Sequence, residues 1–192
     1  MTFEQKTRKI SERSIENAAL FYLQRFATSA ENLKRVLMRK VRRSARAHGA
    51  ECDDALIEDG AAIVDRLISR YTEAGLLDDC KYAEGRAASL HRRGMSAARI
   101  RQQLAQKGVG AEAAVHALAA LAAETASEPA ALDLTAAVTL ARRRRLGPFR
   151  APPDRPRLRE KDLAALARAG FDYHVAVMVI DAASPDALMD LF

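Results

Sequence analysis

Three segments of this chain of 192 residues repeat one helix-turn-helix pattern. They align when Leu23, Leu90 and Leu140 are superposed, and they read AALFYLQRFATSAENL, RAASLHRRGMSAARI and AAVTLARRRRLGPF. In the first two, a serine that can cap the next helix follows the leucine by six residues. The third inserts GPFRAPPDRPR before its second helix. A repeat this short buries little by itself, so the pattern restricts the chain to helices that stack on their neighbours.

Apolar residues recur at intervals of three and four, as on one face of a helix, and the alternation of a half-buried strand is missing. The candidate core positions are Leu20, Leu23, Leu33, Leu37, Ile63, Leu67, Ile68, Tyr71, Ile100, Leu104, Val115, Leu118 and Leu121. Candidate helix starts are Ser14, Thr28 with Ser29, Asp78 with Asp79, Ser96, Asp154 and Ser184. Candidate stops are Gly49, Gly75, Gly94, Gly108, Gly147 and Gly170. The sequence therefore predicts an all-α fold of short helices.

We expect the helices to form tandem three-helix repeats in an elongated, curved array, right- or left-handed. A flexible N-terminal tail, residues 1–13, precedes them. The predicted repeats are residues 14–77, 78–127 and 128–192, and the third contains a Pro/Arg-rich insertion at 147–157.

Charge follows the same organisation. The net charge is +6, and basic stretches at 1–48, 81–110 and 142–168 carry net charges of +8, +6 and +7. Acidic stretches at 49–80, 111–141 and 169–192 carry −7, −4 and −4. Two interpretations stay open: opposite charges attract between neighbouring repeats, or second helices form a positive surface and third helices a negative one.

The second helix of the first repeat has two opposite faces. Leu33 and Leu37 lie on its core face, and about 100° per residue places Arg35, Arg39, Arg42 and Arg46 on the outward face. Two interpretations of these arginines stay open. Either nearby acidic residues offset the repulsion between the arginines, or the arginines contact a polyanion or an acidic protein.

The other two repeats also present cations. The second helix of the second repeat turns Arg99, Gln102 and Gln106 outward, a face that suits hydrogen bonds to phosphates or to a protein. The run Arg142 to Arg145 exceeds the one or two cations that helix-end carbonyls favour, so we interpret it as a third basic segment. The candidate contact residues are Arg35, Arg39, Arg42, Arg43, Arg46, Arg92, Arg93, Arg99, Arg101, Lys107, Arg142, Arg143, Arg144, Arg145 and Arg150.

Other functions find little support. No phosphate loop, metalloprotease motif or nucleophile motif occurs, so no catalytic residue, cofactor or metal is predicted. His48 and Cys52 lack an evident third ligand, and Cys52 and Cys80 are expected to be reduced, partly buried thiols. Aromatic residues make up 5% of the chain and Trp is absent, which argues against a base-stacking platform.

A helix-turn-helix around Gly94 also fits a DNA reader, but nothing distinguishes it from an ordinary helical hairpin, and sequence-specific binding is not predicted. The polar N-terminus and the lack of eighteen consecutive apolar residues lead us to expect a cytoplasmic protein.

Residues 75–109, GLLDDCKYAEGRAASLHRRGMSAARIRQQLAQKGV, resemble the hallmark of the RecX regulatory protein family. The matching residues are Gly75, Leu76, Leu77, Asp78, Asp79, Tyr82, Ala83, Arg92, Gly94, Arg99, Ile100, Leu104, Lys107, Gly108 and Val109. YLQRFATSAENLKRVL and ARAGFDYHVAVMVI are similar to the first and third repeats of that family. This sequence departs from the family pattern in two places: a long link from Arg43 to Gly60 and a Pro-rich insertion from Pro148 to Pro156.

The resemblance implies a non-enzymatic, monomeric modulator, usually an inhibitor, of the RecA recombinase. Family members are expected to bind in the groove of the RecA filament on single-stranded DNA and to lower its recombinase, ATPase and coprotease activities, part of the regulation of DNA repair and the SOS response. Two alternatives remain: a nucleic-acid-binding helical repeat protein that is independent of RecA and could bind bare DNA, and a helical scaffold for an acidic protein.

Overall fold

A computed structural model describes residues 11–47, 54–125 and 129–189. These residues form helices joined by turns, with no strand among them, which confirms the all-α fold. The α-helices are α1 Glu12–Leu23, α2 Ala30–Ala47, α3 Asp54–Glu73, α4 Asp79–His91, α5 Ala97–Gln106, α6 Ala111–Glu124, α7 Pro129–Arg144, α8 Arg155–Arg168, α9 Tyr173–Ile180 and α10 Pro185–Met189. Two 3-10 turns, Gly147–Phe149 and Pro152–Asp154, lie between α7 and α8. No described helix is long and apolar enough to cross a membrane.

The chain divides into two compact units, unit 1 (Met1–Tyr82) and unit 2 (Ala83–Phe192). The predicted range 14–77 contains α2, α3 and α1 except for its first two residues, Glu12 and Arg13, which lie in the predicted tail; 78–127 contains α4 to α6, and 128–192 contains α7 to α10. The assignment of these helices to three equivalent repeats stays a prediction.

Unit 1 is built around the apolar face of α2. Leu33, Leu37 and Val41 are buried there, and they pack with residues of α1 and α3 in one cluster. α2 and α3 approach closely at Gly60, where an added Cβ would lie 2.5 Å from a methyl carbon of Val41. The outward arginines of α2 are all exposed, so the face assignment made from the helical wheel is confirmed.

Unit 2 has its main core where α7, α8 and α9 meet, at residues such as Leu140, Leu166 and Val179. A smaller cluster joins Leu121 of α6 to Leu132 of α7. Ile100 and Leu104 of α5 are fully buried, as their spacing predicts. Short helices of this kind gain their stability from the faces they bury against one another.

Two buried serines begin α2 and α5 in the same way. Ser29 Oγ accepts the backbone N–H of Asn32 at 3.2 Å, and Ser96 Oγ accepts that of Arg99 at 3.3 Å. The first N–H of each helix is donated to an aspartate from elsewhere in the same unit: Ala30 to Asp79 at 2.8 Å, and Ala97 to Asp133 at 2.7 Å. The capping prediction is confirmed for both serines, and each helix start has a second, long-range acceptor.

Other boundary signals also have physical counterparts. The predicted stops at 75, 94, 108, 147 and 170 all have positive φ, whereas Gly49 lies outside the described residues. The start of α1 differs from the prediction, because Ser11 is the cap and Ser14 is the donor to it. The expected long link after Arg43 is partly helical, since α2 continues to Ala47 and α3 begins at Asp54.

Some burial predictions were wrong. Leu20 and Val115 have helical spacing but are 41% and 59% exposed. Cys80 is exposed rather than partly buried, and Cys52 and His48 lie outside the described residues. His91 is buried, with Nε2 2.9 Å from the Leu132 carbonyl oxygen, so its ring is part of the packing between α4 and α7.

We expect Leu104→Ala to lower the free energy of unfolding by about 2 to 5 kcal/mol, because a fully buried leucine leaves a cavity when it is truncated. Urea denaturation measures the change. Val115→Ala, an exposed position, is the matched control and should change stability by about 0.5 kcal/mol or less. Equal losses for the two variants would contradict the packing of α5 and α6 described above.

Candidate anion-binding surfaces

The turn between α4 and α5 places two candidate arginines beside the ends of other helices. Gly94, at φ +76°, lets this turn approach α7 so closely that an added Cβ would lie 2.8 Å from the Leu140 backbone nitrogen. Ser96 Oγ donates to the Ala169 carbonyl at 2.9 Å, just after α8. Arg93 and Arg99 are thereby held near the C-termini of α7 and α8.

The four-arginine run ends α7. Arg142, Arg143, Arg144 and Arg145 are all exposed, and their role in a contact stays a prediction. Arg143 Nη1 donates to the Arg93 carbonyl at 2.9 Å, which connects the run to the turn between α4 and α5. Arg99 donates in turn to Gln102 at 2.7 Å and to the Arg168 carbonyl at 3.4 Å.

These side chains surround an open cleft in unit 2 of about 580 Å³, hereafter the basic cleft. Its polar lining consists of Arg93, Arg99, Arg143, Arg144, Arg168, Gln102, Gln103 and Gln106. None of the described residues that line it is a carboxylate. Five guanidinium groups around one concave surface give a positive potential that attracts anions, and each can donate to a phosphate or carboxylate through a planar fork. The lining of the basic cleft therefore has the charge and the hydrogen-bond donors that suit an anion.

The basic cleft includes only part of the predicted set and adds residues to it. Arg93, Arg99, Arg143 and Arg144 were predicted, whereas Arg168 and Gln103 were missing from the candidate list. Arg168 could have been recognised as a cation in the last turn of α8, two residues before the helix-stop glycine Gly170. The predicted residues of unit 2 that lie outside the cleft lining are Arg92, Arg101, Lys107, Arg142, Arg145 and Arg150.

Arg150 differs from the other candidates because its guanidinium holds the insertion in place. It donates from Nε and Nη2 to the two carboxylate oxygens of Asp162, at 3.0 and 2.7 Å. Asp162 is 1% exposed and also accepts the Gly147 N–H at 2.9 Å. The neighbouring Arg155 donates to three carbonyl oxygens, among them those of Pro148 and Ala183. We therefore leave Arg150 out of the proposed contact surface.

In unit 1, the predicted stripe on α2 comprises Arg35, Arg39, Arg42 and Arg46, hereafter the α2 stripe. Arg35 pairs with Glu31 at 2.8 Å, one helical turn away. No ion pair joins Arg39, Arg42 or Arg46 to another residue of the described ranges. Acidic neighbours thus offset one end of the α2 stripe. Arg43 projects from a different side of α2, toward α1.

No candidate metal site occurs in the part of the chain that the structure describes. No group of three or more His, Cys, Asp or Glu side chains there is arranged to hold an ion.

The fold and its surfaces define an all-α protein of consecutive short helices, with a basic cleft in unit 2 and an arginine stripe on α2 in unit 1. A family model described as RecX, second three-helix domain, matches residues 78–118. Regulatory protein RecX of Myxococcus xanthus (strain DK1622) is 44% identical over 177 residues, which is 92% of this chain and 89% of the relative. Regulatory protein RecX of Agrobacterium fabrum (strain C58 / ATCC 33970) is 33% identical and covers 89% of this chain and 84% of that one. The chain belongs to the RecX family of regulatory proteins.

Solved structures agree with this fold. The crystal structure of RecX from Lactobacillus salivarius matches with a TM-score of 0.56 and 19% identity, over 94% of this chain and 97% of that chain. A second crystal structure, of a regulatory protein RecX, matches with a TM-score of 0.58 and 20% identity, over 89% and 72% of the two chains. At such identities the likeness establishes the fold alone.

We expect Asp162→Ala to destabilise unit 2 by about 3 kcal/mol, because it leaves Arg150 and the Gly147 N–H without their shared acceptor. Thermal and urea unfolding measure the loss. Glu160→Ala, on the same helix with a side chain 85% exposed, should cost about 0.5 kcal/mol or less. If the two variants were equally stable, the insertion would not depend on Asp162.

The α2 stripe should be dispensable for folding. Replacing Arg35, Arg39 and Arg42 by Ala removes exposed side chains, so each substitution should change stability by about 0.5 kcal/mol or less. Binding to an acidic partner should weaken nonetheless, which a pull-down at two salt concentrations would measure. A variant that unfolds early, or that binds as well as the parent protein, would contradict this description of the stripe.

Proposed function

We propose that this protein binds the RecA recombinase, or the RecA filament on single-stranded DNA, and lowers its ATPase, strand-exchange and coprotease activities. It does so without catalysis of its own, as a cytoplasmic monomer. The observation that carries the proposal is family membership, with 44% identity to a regulatory protein RecX over 92% of the chain. The relatives are named regulatory proteins, and the proposal assigns RecA as the target of that regulation.

The basic cleft supports this function chemically. A nucleoprotein filament presents phosphate groups and acidic side chains, and both are anions with oxygen acceptors. Five arginines without a lining carboxylate suit either kind of acceptor, and the three glutamines can hydrogen-bond to donors as well as acceptors. The cleft carries no arrangement that reads base edges, in agreement with an interaction that is independent of DNA sequence.

The α2 stripe supplies a second candidate contact. Arg39, Arg42 and Arg46 project from the face opposite the core, so binding there needs no rearrangement of the helix. We propose that the stripe and the basic cleft both contact the filament.

The test is RecA ATPase turnover on single-stranded DNA with substoichiometric amounts of this protein. We expect inhibition by the parent protein, and a concentration for half inhibition at least about tenfold higher for the double variant Arg144→Ala/Arg168→Ala. Each lost charge-assisted hydrogen bond contributes about 1.5 to 3 kcal/mol, and about 1.4 kcal/mol is a tenfold change in affinity. Arg92→Ala/Arg101→Ala removes the same charge outside the cleft lining and should shift inhibition less.

Other outcomes distinguish the alternatives. Unchanged ATPase turnover together with no co-sedimentation with filaments would refute the RecA assignment. Tight binding to bare DNA at physiological salt without any effect on RecA would favour a nucleic-acid-binding protein that is independent of RecA. Capture of an acidic protein that resists nuclease treatment would favour a scaffold.

A further inference from the structure

A second groove, in unit 1, includes one predicted contact residue, Arg43, but its other cations and its aromatic ring were not predicted. It is an open groove of about 1040 Å³ between α1 and α2, hereafter the α1–α2 groove. Its cations are Arg13, Lys40 and Arg43, and Phe21 also lines it. It differs from the basic cleft because it combines positive charge with an aromatic ring.

Helical geometry explains how the groove is formed. On α1, Arg13, Asn17 and Phe21 are exposed and follow one another at intervals of four residues, so they lie on one face. They span about 12 Å at about 1.5 Å per residue. On α2, the exposed Lys40 and Arg43 are separated by three residues and face the same groove. The two rows form its opposite walls.

The cations of the groove are not neutralised within the described ranges. No Asp or Glu is among its lining residues, and no ion pair joins Arg13, Lys40 or Arg43 to another described residue. Two carboxylates of the same helices pair with other cations: Glu16 of α1 with Arg70, and Glu31 of α2 with Arg35. Three cations that no described carboxylate neutralises give the groove a positive potential, which attracts a polyanion.

Phe21 narrows the choice of polyanion. The ring is 55% exposed, and the Arg25 guanidinium lies 3.9 Å from its centroid. Phe21 is an exposed aromatic residue of the α1 wall, and it provides a surface on which an unpaired base can stack, whereas a duplex keeps its bases paired inside. The low aromatic content of the chain argues against a continuous stacking platform, but a single ring is sufficient for one base.

We propose that the α1–α2 groove binds single-stranded nucleic acid, with backbone phosphates on Arg13, Lys40 and Arg43 and one base against Phe21. The inference goes beyond the proposed function, because it assigns a ligand to a surface outside the basic cleft and requires no RecA. An acidic peptide would be attracted by the same cations but would gain nothing specific from base stacking.

The experiment is fluorescence anisotropy with the full chain, a labelled thymidine oligonucleotide of about 20 nucleotides and no RecA, over a series of salt concentrations. Lys40→Gln/Arg43→Gln should weaken binding at least about tenfold and reduce the slope of log affinity against log salt by about 1.4, about 0.7 for each lost phosphate contact. Arg66→Gln removes an exposed cation of α3 outside the groove and should leave affinity within about twofold.

Stacking is tested separately. Phe21→Leu should weaken binding about tenfold with no change of salt slope, and this difference should vanish on a strand with abasic sites. Phe26→Leu is the matched control, because Phe26 is 54% exposed but does not line the groove. Both side chains are exposed, so the melting curves of the two variants should match that of the parent protein. If Phe21→Leu unfolds, the salt slope of the Lys40/Arg43 variant still tests whether the groove binds phosphates.

Three results would overturn the proposal: equal losses for Phe21→Leu and Phe26→Leu, an unchanged salt slope for the Lys40/Arg43 variant, or displacement of the strand by polyglutamate at equal charge concentration. Because RecA is absent, the result is independent of the ATPase test. Inhibition of RecA with no strand binding would refute the groove alone, and strand binding with no effect on RecA would refute the proposed function alone.

Discussion

The start of α5 is the constraint on which the basic cleft depends. Ser96 is fully buried, accepts the Arg99 N–H and donates to the Ala169 carbonyl, while Asp133 accepts the Ala97 N–H. Three helices are therefore joined through the first turn of one of them. A buried helix terminus whose N–H groups lack acceptors would be costly, so these bonds fix both the position and the direction of α5. The positions of the cleft arginines therefore depend on the placement of α5.

Local sequence signals predict much of the fold. Serine caps, glycine stops and the helical period identify most boundaries and the buried face of α2, because each depends on a few neighbouring residues. They also identify the family through residues 75–109, which are mostly structural. The acceptor role of Asp133 could not be predicted, since it is set by packing between residues 36 positions apart.

The same reason explains the errors. Val115 has the spacing of a core residue, but Ala114 and Ala117 form the buried face of α6 instead. Arg150 was predicted as a contact residue because of its charge, but its guanidinium pairs with the buried carboxylate of Asp162 in α8. Arg168 was not among the candidates because a single arginine at the end of a helix gains significance only when the tertiary structure brings it beside the four arginines of α5, α7 and the turn between α4 and α5. Burial and convergence of distant residues are properties of the tertiary structure.

Gly94 has no side chain that could bind a ligand, yet its place in the fold makes substitutions at this position disruptive. Its positive φ and its distance to the α7 backbone leave no room for a side chain, so any substitution pushes the turn that carries Arg93 away from the helix that carries Arg143. A screen for loss of regulation would therefore recover changes at this glycine together with changes at the arginines. Sorting the two groups by protein abundance in the cell would separate residues that build the surface from those that use it.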